Sequence, residues 1–330
     1  MRISLACVIV AAVLVLGACT PIVNINVMPP EERFKPQVVL EEGGGGSRVA
    51  VIEVRGLIMD GRTPGLIMDG PNPVDRFAAQ LTLAEKDPAV KALIVRITSP
   101  GGTVTASHVM HEELRRFSRV TGKPVVASIG EVGASGGYYL ALGADTIMAE
   151  PTSITGSIGV IMPTVNVSEG LAMIGIRSRS ITSGPNKDLA NPMEPMRDAQ
   201  YAVLQEMVNE MYARFRGLVV ERRPGLSSGN LDMATDGRVV MGERAKELGL
   251  VDELGGLREA FVRAKAMAGL ERATLVKYAD PATPPRSIYS SAGEPEREIN
   301  LVQLKVGTGA LGANGTAPFY YLWAPGGLGF

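Results

Sequence analysis

From Arg48 onward, short apolar runs alternate with longer stretches in which apolar residues recur every three or four positions. The runs Arg48–Ile58, Lys91–Ile97, Val125–Ile129, Thr146–Ala149 and Ile158–Met162 predict strands. Most are unbroken Val/Ile/Leu text, the pattern of strands buried on both faces. Helical periodicity covers Val74–Lys86, Thr103–Val120, the segment opened by Ser135, Asp198–Glu221 and Gly256–Met267. In Asp198–Glu221 a stripe of Ala199, Val203, Leu204, Met207, Val208 and Met211 fits a core or a subunit interface. Strands alternating with helices predict an α/β core.

The N-terminal text is different. Arg2 precedes an apolar run from Ile3 to Leu16, short of the ~20 residues a membrane span needs but suited to a secretory signal. The run ends in Leu16-Gly17-Ala18-Cys19, which resembles a bacterial lipoprotein signal. That resemblance implies cleavage before Cys19 and a lipid on its sulfur. The alternatives are a simple secretory signal and an uncleaved anchor. Thr20–Ser47, with Pro29-Pro30 and Gly43–Gly46, reads as a tether reaching roughly 30 Å. At the other end, Pro281–Phe330 is rich in Gly and Pro, with an apolar patch at Tyr320-Tyr321-Leu322-Trp323. Such a tail either packs on a neighbouring subunit or stays disordered. Gly56-Leu57-Ile58-Met59-Asp60-Gly61 recurs as Gly65-Leu66-Ile67-Met68-Asp69-Gly70, one local duplication and too few copies for a solenoid. The expected organisation is a signal over 1–18, a tether over 19–47, a catalytic domain over 48–280 and a tail over 281–330.

Composition narrows the function only a little. The 330 residues are 45% hydrophobic and 20% charged, with a formal net charge of −1. There is no basic excess that would point to nucleic acid. The only cysteines are Cys7 and Cys19, so removal of the signal leaves no free thiol and no disulfide. A core of this size holds without one.

The chemistry centres on Ser135. It follows the apolar run Val125–Ile129 and lies in Gly133-Ala134-Ser135-Gly136-Gly137. A serine at a glycine-lined turn into a helix faces free backbone N–H groups, a good setting for a nucleophile and its oxyanion. Its base is not obvious. The two histidines, His108 and His111, both precede Ser135 and read as polar residues of a partly exposed helix. With no histidine downstream, a triad ordered Ser then His is impossible. Among the nine lysines, Lys187 stands apart in the polar loop Ser183-Gly184-Pro185-Asn186-Lys187-Asp188. A lysine acts as base only when neutral, which burial and distance from carboxylates favour. Asp188 must therefore point away. Ser99-Pro100-Gly101-Gly102 follows a strand and reads either as a plain turn or as a place where backbone approaches a ligand.

Four blocks, in order, carry a family resemblance: Ile97–Ser107; Gly133–Tyr139 with Ala144-Asp145 and Thr155–Val160; Ser183-Gly184 through Lys187-Asp188; and Asp236–Val239 with Ala245–Leu248 and Leu250–Asp252. They resemble the signal peptide peptidase (protease IV) family of serine peptidases, from about residue 48 to about residue 270. The resemblance implies an α/β Clp/crotonase-like fold of repeated β-β-α units, one catalytic domain with helical oligomerisation elements. It implies a Ser–Lys dyad of nucleophile Ser135 and general base Lys187. Gly102 and Gly136 would supply the oxyanion N–H groups, and Ser183 would help to hold the lysine amine. No metal or cofactor is implied. Substrates would be cleaved signal peptides and other apolar peptides in the bacterial envelope, cut on the exported side of the membrane. Ring-like homo-oligomers are implied as well, with sites assembled between protomers. Two rivals stand beside this reading: a catalytically inactive peptide-binding lipoprotein, and a crotonase-type acyl-CoA enzyme. An export signal argues against the second, since coenzyme A is cytoplasmic.

Overall fold

Nine strands form one mostly parallel sheet, and its centre is where the sequence shows its longest apolar runs. The computed structural model describes residues 34–43, 46–61, 71–281, 283–290 and 319–323. The strands are β1 (Lys35–Glu41), β2 (Arg48–Arg55), β3 (Val90–Ser99), β4 (Gly101–Thr103), β5 (Val125–Ala134), β6 (Thr146–Ala149), β7 (Ile154–Gly156), β8 (Val239–Met241), β9 (Glu253–Leu254), β10 (Thr274–Ala279) and β11 (Tyr320–Leu322). The helices are α1 (Pro73–Lys86), α2 (Val104–Thr121), α3 (Gly136–Ala141), α4 (Ser168–Met173), α5 (Asp198–Arg222), α6 (Ser228–Ala234), α7 (Gly242–Leu248) and α8 (Leu257–Met267). The main sheet runs β1-β10-β2-β3-β5-β6-β9, with β7 beside the end of β5 and β8 beside β7. Only the β1–β10 and β7–β8 pairs are antiparallel in it. This is the Clp/crotonase-like α/β class.

Parallel pairing explains the unbroken apolar text. Both faces of β2, β3 and β5 are covered, so most of their residues are buried. One face packs on α1, α2 and α3 through Phe77, Leu81, Leu114, Phe117 and Leu140, with Phe215 and Val219 of α5. The other packs on α8 through Leu257, Ala260, Phe261 and Ala264. Local chemistry sets the ends. Asn72 caps α1, accepting from Val74 N–H at 2.9 Å, with Pro73 at the first helical position. Gly122 closes α2 at φ 66°. Two aspartates from the family blocks pin strand entrances: Asp145 accepts from Val125 N–H at 2.9 Å, and Asp252 accepts from Ile147 N–H at 2.7 Å.

Several expectations change here. Residues 35–41, expected as tether, form edge strand β1 because Val38 and Leu40 pair with β10. Ile158–Met162 is not a regular strand; β7 lies earlier, and Ile161 makes a single bridge to Tyr320. The described pieces of the 281–330 tail, 283–290 and 319–323, pack on the chain's own body. The stripe of α5 is core only in part: Leu204 is buried, whereas Met207 and Tyr201 are exposed, and burial resumes at Phe215 and Val219. The signal segment with Cys19, and the second copy of the duplication, lie outside the described residues.

A buried ion pair fastens the β1–β2 side of the sheet. Lys277 of β10 is fully buried, and its amine donates to Glu53 Oε1 and to the Ser290 carbonyl, both at 2.7 Å. Burial pushes the Lys277 pKa down, and the Glu53 carboxylate opposes that shift. Removing Lys277 takes the nearest cation from the buried Glu53 carboxylate and leaves it the more exposed Arg55 at 3.7 Å. Lys277→Ala is therefore expected to cost about 3–5 kcal/mol, read as a fall in the urea midpoint. A loss below ~1 kcal/mol would show that water reaches the pair.

Candidate active site

Ser135 stands where β5 ends and α3 begins, and its backbone is strained. Its φ of 52° and ψ of −113° belong to a region that side-chain-bearing residues avoid. Such a conformation costs on the order of 1–3 kcal/mol and persists only where surroundings impose it. Three layers impose it here. Ser135 N–H donates to the Gly156 carbonyl at 2.8 Å, and its own carbonyl accepts from Tyr139 N–H at 2.8 Å. Val132–Ala134 pair with Ile154–Gly156, and the Thr155 hydroxyl donates to the Gly133 carbonyl at 2.7 Å. Behind these, β8 pairs with β7, and Ser157 N–H donates to the Arg238 carbonyl at 2.7 Å. The fourth family block thus buttresses the second. The Ser135 residue is buried and its side chain does not cap the helix. That helix is a short six-residue turn, so positioning here comes from backbone amides and not from a long dipole.

The Pro-Gly-Gly segment comes to the same place. Gly101 has φ 105°, which favours glycine. Ser99 holds the turn by donating to the Gly56 carbonyl at 2.6 Å and accepting from Gly101 N–H at 3.1 Å. Ile58 brackets β4 on its far side: Ile58 N–H donates to Gly101 O at 2.9 Å, and Thr103 N–H to Ile58 O at 2.8 Å. Two glycine backbones then meet. A Cβ on Gly136 would stand 3.0 Å from Gly102 N and 2.4 Å from Ser107 Oγ. A Cβ on Gly102 would stand 1.7 Å from the Ile58 carbonyl. Only glycine fits at 102, a side chain at 136 would force the Ser107 hydroxyl to move, and the structure brings Gly102, Ser135 and Gly136 together.

Lys187 is not joined to them within one chain. Its loop lies among exposed residues, and its amine makes no hydrogen bond or ion pair among the described residues. Ser183 is exposed too. The loop is nonetheless organised against the start of α5. Gln200 Nε2 donates to the Pro185 carbonyl at 2.8 Å and to Asp188 Oδ1 at 2.7 Å, and Arg197 contacts both groups. The Asp188 carboxylate is thereby engaged by α5.

The histidines take a different role from the one the sequence suggested. His111 is buried, not partly exposed, with Nδ1 3.2 Å from the Tyr139 carbonyl. Burial pushes its pKa down to about 4, against an opposing pull from Glu112. His108 is partly buried, with Nδ1 3.3 Å from the Tyr139 hydroxyl. Both rings set their edges against Tyr139. They position an aromatic cluster that periodicity alone did not reveal: Tyr139, Phe215 of α5 and Tyr321 of β11, with centroids 4.7–5.1 Å apart.

Comparison with known proteins places the chain in a family. The fold and the glycine-flanked serine define a class, the Clp/crotonase-like proteins that place backbone amides around a reacting carbonyl. The sequence profile of Peptidase family S49 matches residues 118–271. Protease 4 of Salmonella typhi is 38% identical over 239 residues, 72% of this chain and 37% of that one. A protein of Enterococcus faecium that carries the name signal peptide peptidase SppA is 31% identical, covering 74% of this chain and 70% of its own length. A Synechocystis protein named as a protease, slr0021, is 37% identical over 68% of this chain and 76% of its own length. This chain belongs to peptidase family S49. It spans little more than a third of the length of Protease 4.

His111 makes a pH signature. Its pKa is lowered in the folded state, so the unfolded chain binds the extra proton between about pH 6.5 and 4. Stability from the neutral ring is complete above pH 6.5 and is lost as pH falls toward 4. The full loss is on the order of 3 kcal/mol. Urea midpoints at pH 7, 5.5 and 4 should fall more steeply for the native protein than for His111→Gln. Parallel slopes would show that the ring is charged without penalty.

Proposed function

We propose that the protein is a membrane-associated serine endopeptidase with a Ser–Lys dyad, acting on cleaved signal peptides and other apolar peptides at the bacterial envelope. One observation carries the reading: a strained, buried serine held beside two closely approaching glycine backbones. Neutral Lys187 takes the Ser135 proton, and Oγ attacks the peptide carbonyl. The N–H groups of Gly102 and Gly136 hold the oxyanion. The C–N bond breaks as Lys187 returns the proton to the leaving amine, leaving an ester on Ser135. Lys187 then takes a proton from water, hydroxide adds to the ester carbon, and Ser135 regains its proton.

The lysine comes from a neighbouring protomer in this proposal. Two features support it: the exposure of Lys187, and unpartnered apolar side chains around its loop. Ile181 is fully exposed, and Met173 and Ile174 are 88% and 71% exposed. Helix α4 buries none of its residues. Apolar surface of this kind marks a protein interface. The lipid at Cys19 and placement on the exported side complete the proposal, resting on the sequence alone. The exposed lysine equally suits the rival reading of an inactive scaffold, and mixing experiments separate the two.

Neither Ser135→Ala nor Lys187→Ala chains should cleave casein alone, and mixtures of the two should regain part of native activity. Absence of recovery in a mixed oligomer would count against shared sites. Gly102→Ala would drive a Cβ into the Ile58 carbonyl and swing the Gly102 N–H out of place, so kcat should fall by at least about 10²–10³, the scale of one oxyanion donor. An unchanged rate would remove Gly102 from the mechanism.

A further inference from the structure

The sheet face that packs on α8 is largely apolar, but one row of charge crosses it near the carboxyl ends of the strands. Glu53 of β2 lies opposite Arg96 of β3, and Arg96 lies opposite Ser128 of β5. Lys277 of β10 bonds to Glu53 at the outer end of the row. Two residues further on, Arg55 and Thr98 stand opposite each other and point to the same face. Glu53, Arg55, Arg96 and Thr98 line a cavity of about 190 Å³. Leu257 of α8 and Ile288 of the 283–290 segment are its apolar walls. A glycine keeps its floor open: a Cβ on Gly130 would stand 2.5 Å from Thr98 Oγ1 and 3.4 Å from Arg96 Cζ. In open α/β sheets, the carboxyl ends of the strands are where ligands bind.

The two guanidiniums of this cavity are short of anions. Arg96 donates through Nη1 to Ser128 Oγ at 2.8 Å and to the Ile129 carbonyl at 3.4 Å, and both partners are neutral. Burial pushes its pKa down; Glu150 opposes that shift, Arg55 adds to it and Glu53 opposes it. Arg55 reaches Glu53 only at 3.7 Å, and Glu53 is already bonded by the Lys277 amine at 2.7 Å. Two like charges held side by side against an apolar layer are costly, and an anion between them removes that cost. Forked guanidiniums match the paired oxygens of a carboxylate or a phosphate. The surrounding acids decide between the two. Glu131 lines the cavity, and Glu150 acts on Arg96 from beside Gly256 at the start of α8. A monovalent carboxylate meets less repulsion from them than a phosphate dianion does. The volume lies below the ~300 Å³ of ordinary ligand sites, so the stem behind the carboxylate is short.

We propose that the cavity between Arg55 and Arg96 binds a carboxylate on a short apolar stem, carried by a small free acid or by the last residue of a peptide. The two guanidiniums and the Thr98 hydroxyl take the carboxylate, and Leu257 and Ile288 take the stem. Arg55 also donates to the Tyr289 carbonyl at 3.4 Å, and Lys277 to the Ser290 carbonyl at 2.7 Å. The ligand therefore sits under residues 288–290 and ties them to the sheet. Neither Ser135 nor Lys187 takes part, so the site stands or falls independently of the peptidase reading.

Isothermal titration of the full chain with isovalerate, N-acetyl-leucine, N-acetyl-leucinamide and inorganic phosphate tests this. At least one of the two acids should bind, one per chain. The uncharged amide should not bind, and phosphate should bind about tenfold more weakly or less. Binding of N-acetyl-leucine alone assigns the site to peptide ends, and binding of isovalerate alone assigns it to free acids; either supports the proposal. Arg55→Gln alters a more exposed side chain and should weaken acid binding about ten- to a hundredfold, the scale of a hydrogen bond to a charged group. Arg96→Lys keeps the charge but loses the fork and should weaken binding similarly. Gly130→Ala should weaken it with both arginines in place. If Arg96→Lys or Gly130→Ala fails to fold, Arg55→Gln decides. Ser135→Ala should bind the acid as the native chain does. Absence of acid binding to the native chain, binding that Arg55→Gln leaves unchanged, or binding lost in Ser135→Ala overturns the proposal; the last would place the ligand at the serine instead.

Discussion

The close approach of two backbones, Gly101-Gly102 and Ser135-Gly136, is the constraint on which the rest of this structure depends. A Cβ on Gly101 would stand 2.7 Å from Gly136 N, so the two turns meet without any side chain between them. To hold them there, the fold clamps each from outside. Ile58 and Ser99 fix one turn; Gly156, Thr155 and β8 fix the other. The positive φ of Ser135 is the residual strain of that arrangement. Strain of this kind is stored where chemistry needs a group aimed in one direction.

Much of this was legible in the residues. The apolar runs located β2, β3, β5 and β6 because strands buried on both faces must be apolar throughout. The helical periodicity located α1, α2, α5 and α8; α1, α2 and α8 each pack one stripe on the sheet, while α5 buries only part of its own. The turns that carry Gly102 and Gly136 were legible as glycine-rich text, while the roles of Ser135, Gly102 and Gly136 rest on the family resemblance. Other features left no local trace. β1 looked like tether because Lys35-Pro36-Gln37 is polar, and its partner β10 lies more than two hundred residues away. Ile158–Met162 has strand-like composition but finds only one bridge, since β11 supplies its partner at a single position. His111 reads as polar, yet it is buried by a tertiary contact with Tyr139. The pocket of Tyr139, Phe215 and Tyr321 joins three distant segments, which no periodicity records.

The proposed dyad has an electrostatic requirement of its own. A lysine that acts as base must be neutral, and a permanent place in a solvated loop does not favour that. The loop is shaped without it: Arg197 and Gln200 engage Asp188 and Pro185, so the conformation of 183–188 is set by α5. An exposed loop of fixed shape flanked by Met173, Ile174 and Ile181 suits a surface completed by another protein surface.

Strand β5 changes neighbours midway, with Val126–Ile129 on β6 and Val132–Ala134 on β7. Between them the Gly130 carbonyl accepts from the Ser153 hydroxyl at 2.5 Å, a side-chain rivet in place of a ladder bond. The sheet forks there. Its trunk is sandwiched between helical layers, while the branch leading to Ser135 is only three short segments wide. Mechanically the branch is a separate leaf, and amide exchange would reach it at lower cost than the trunk. Opening of that leaf would move Ser135 and leave the trunk closed.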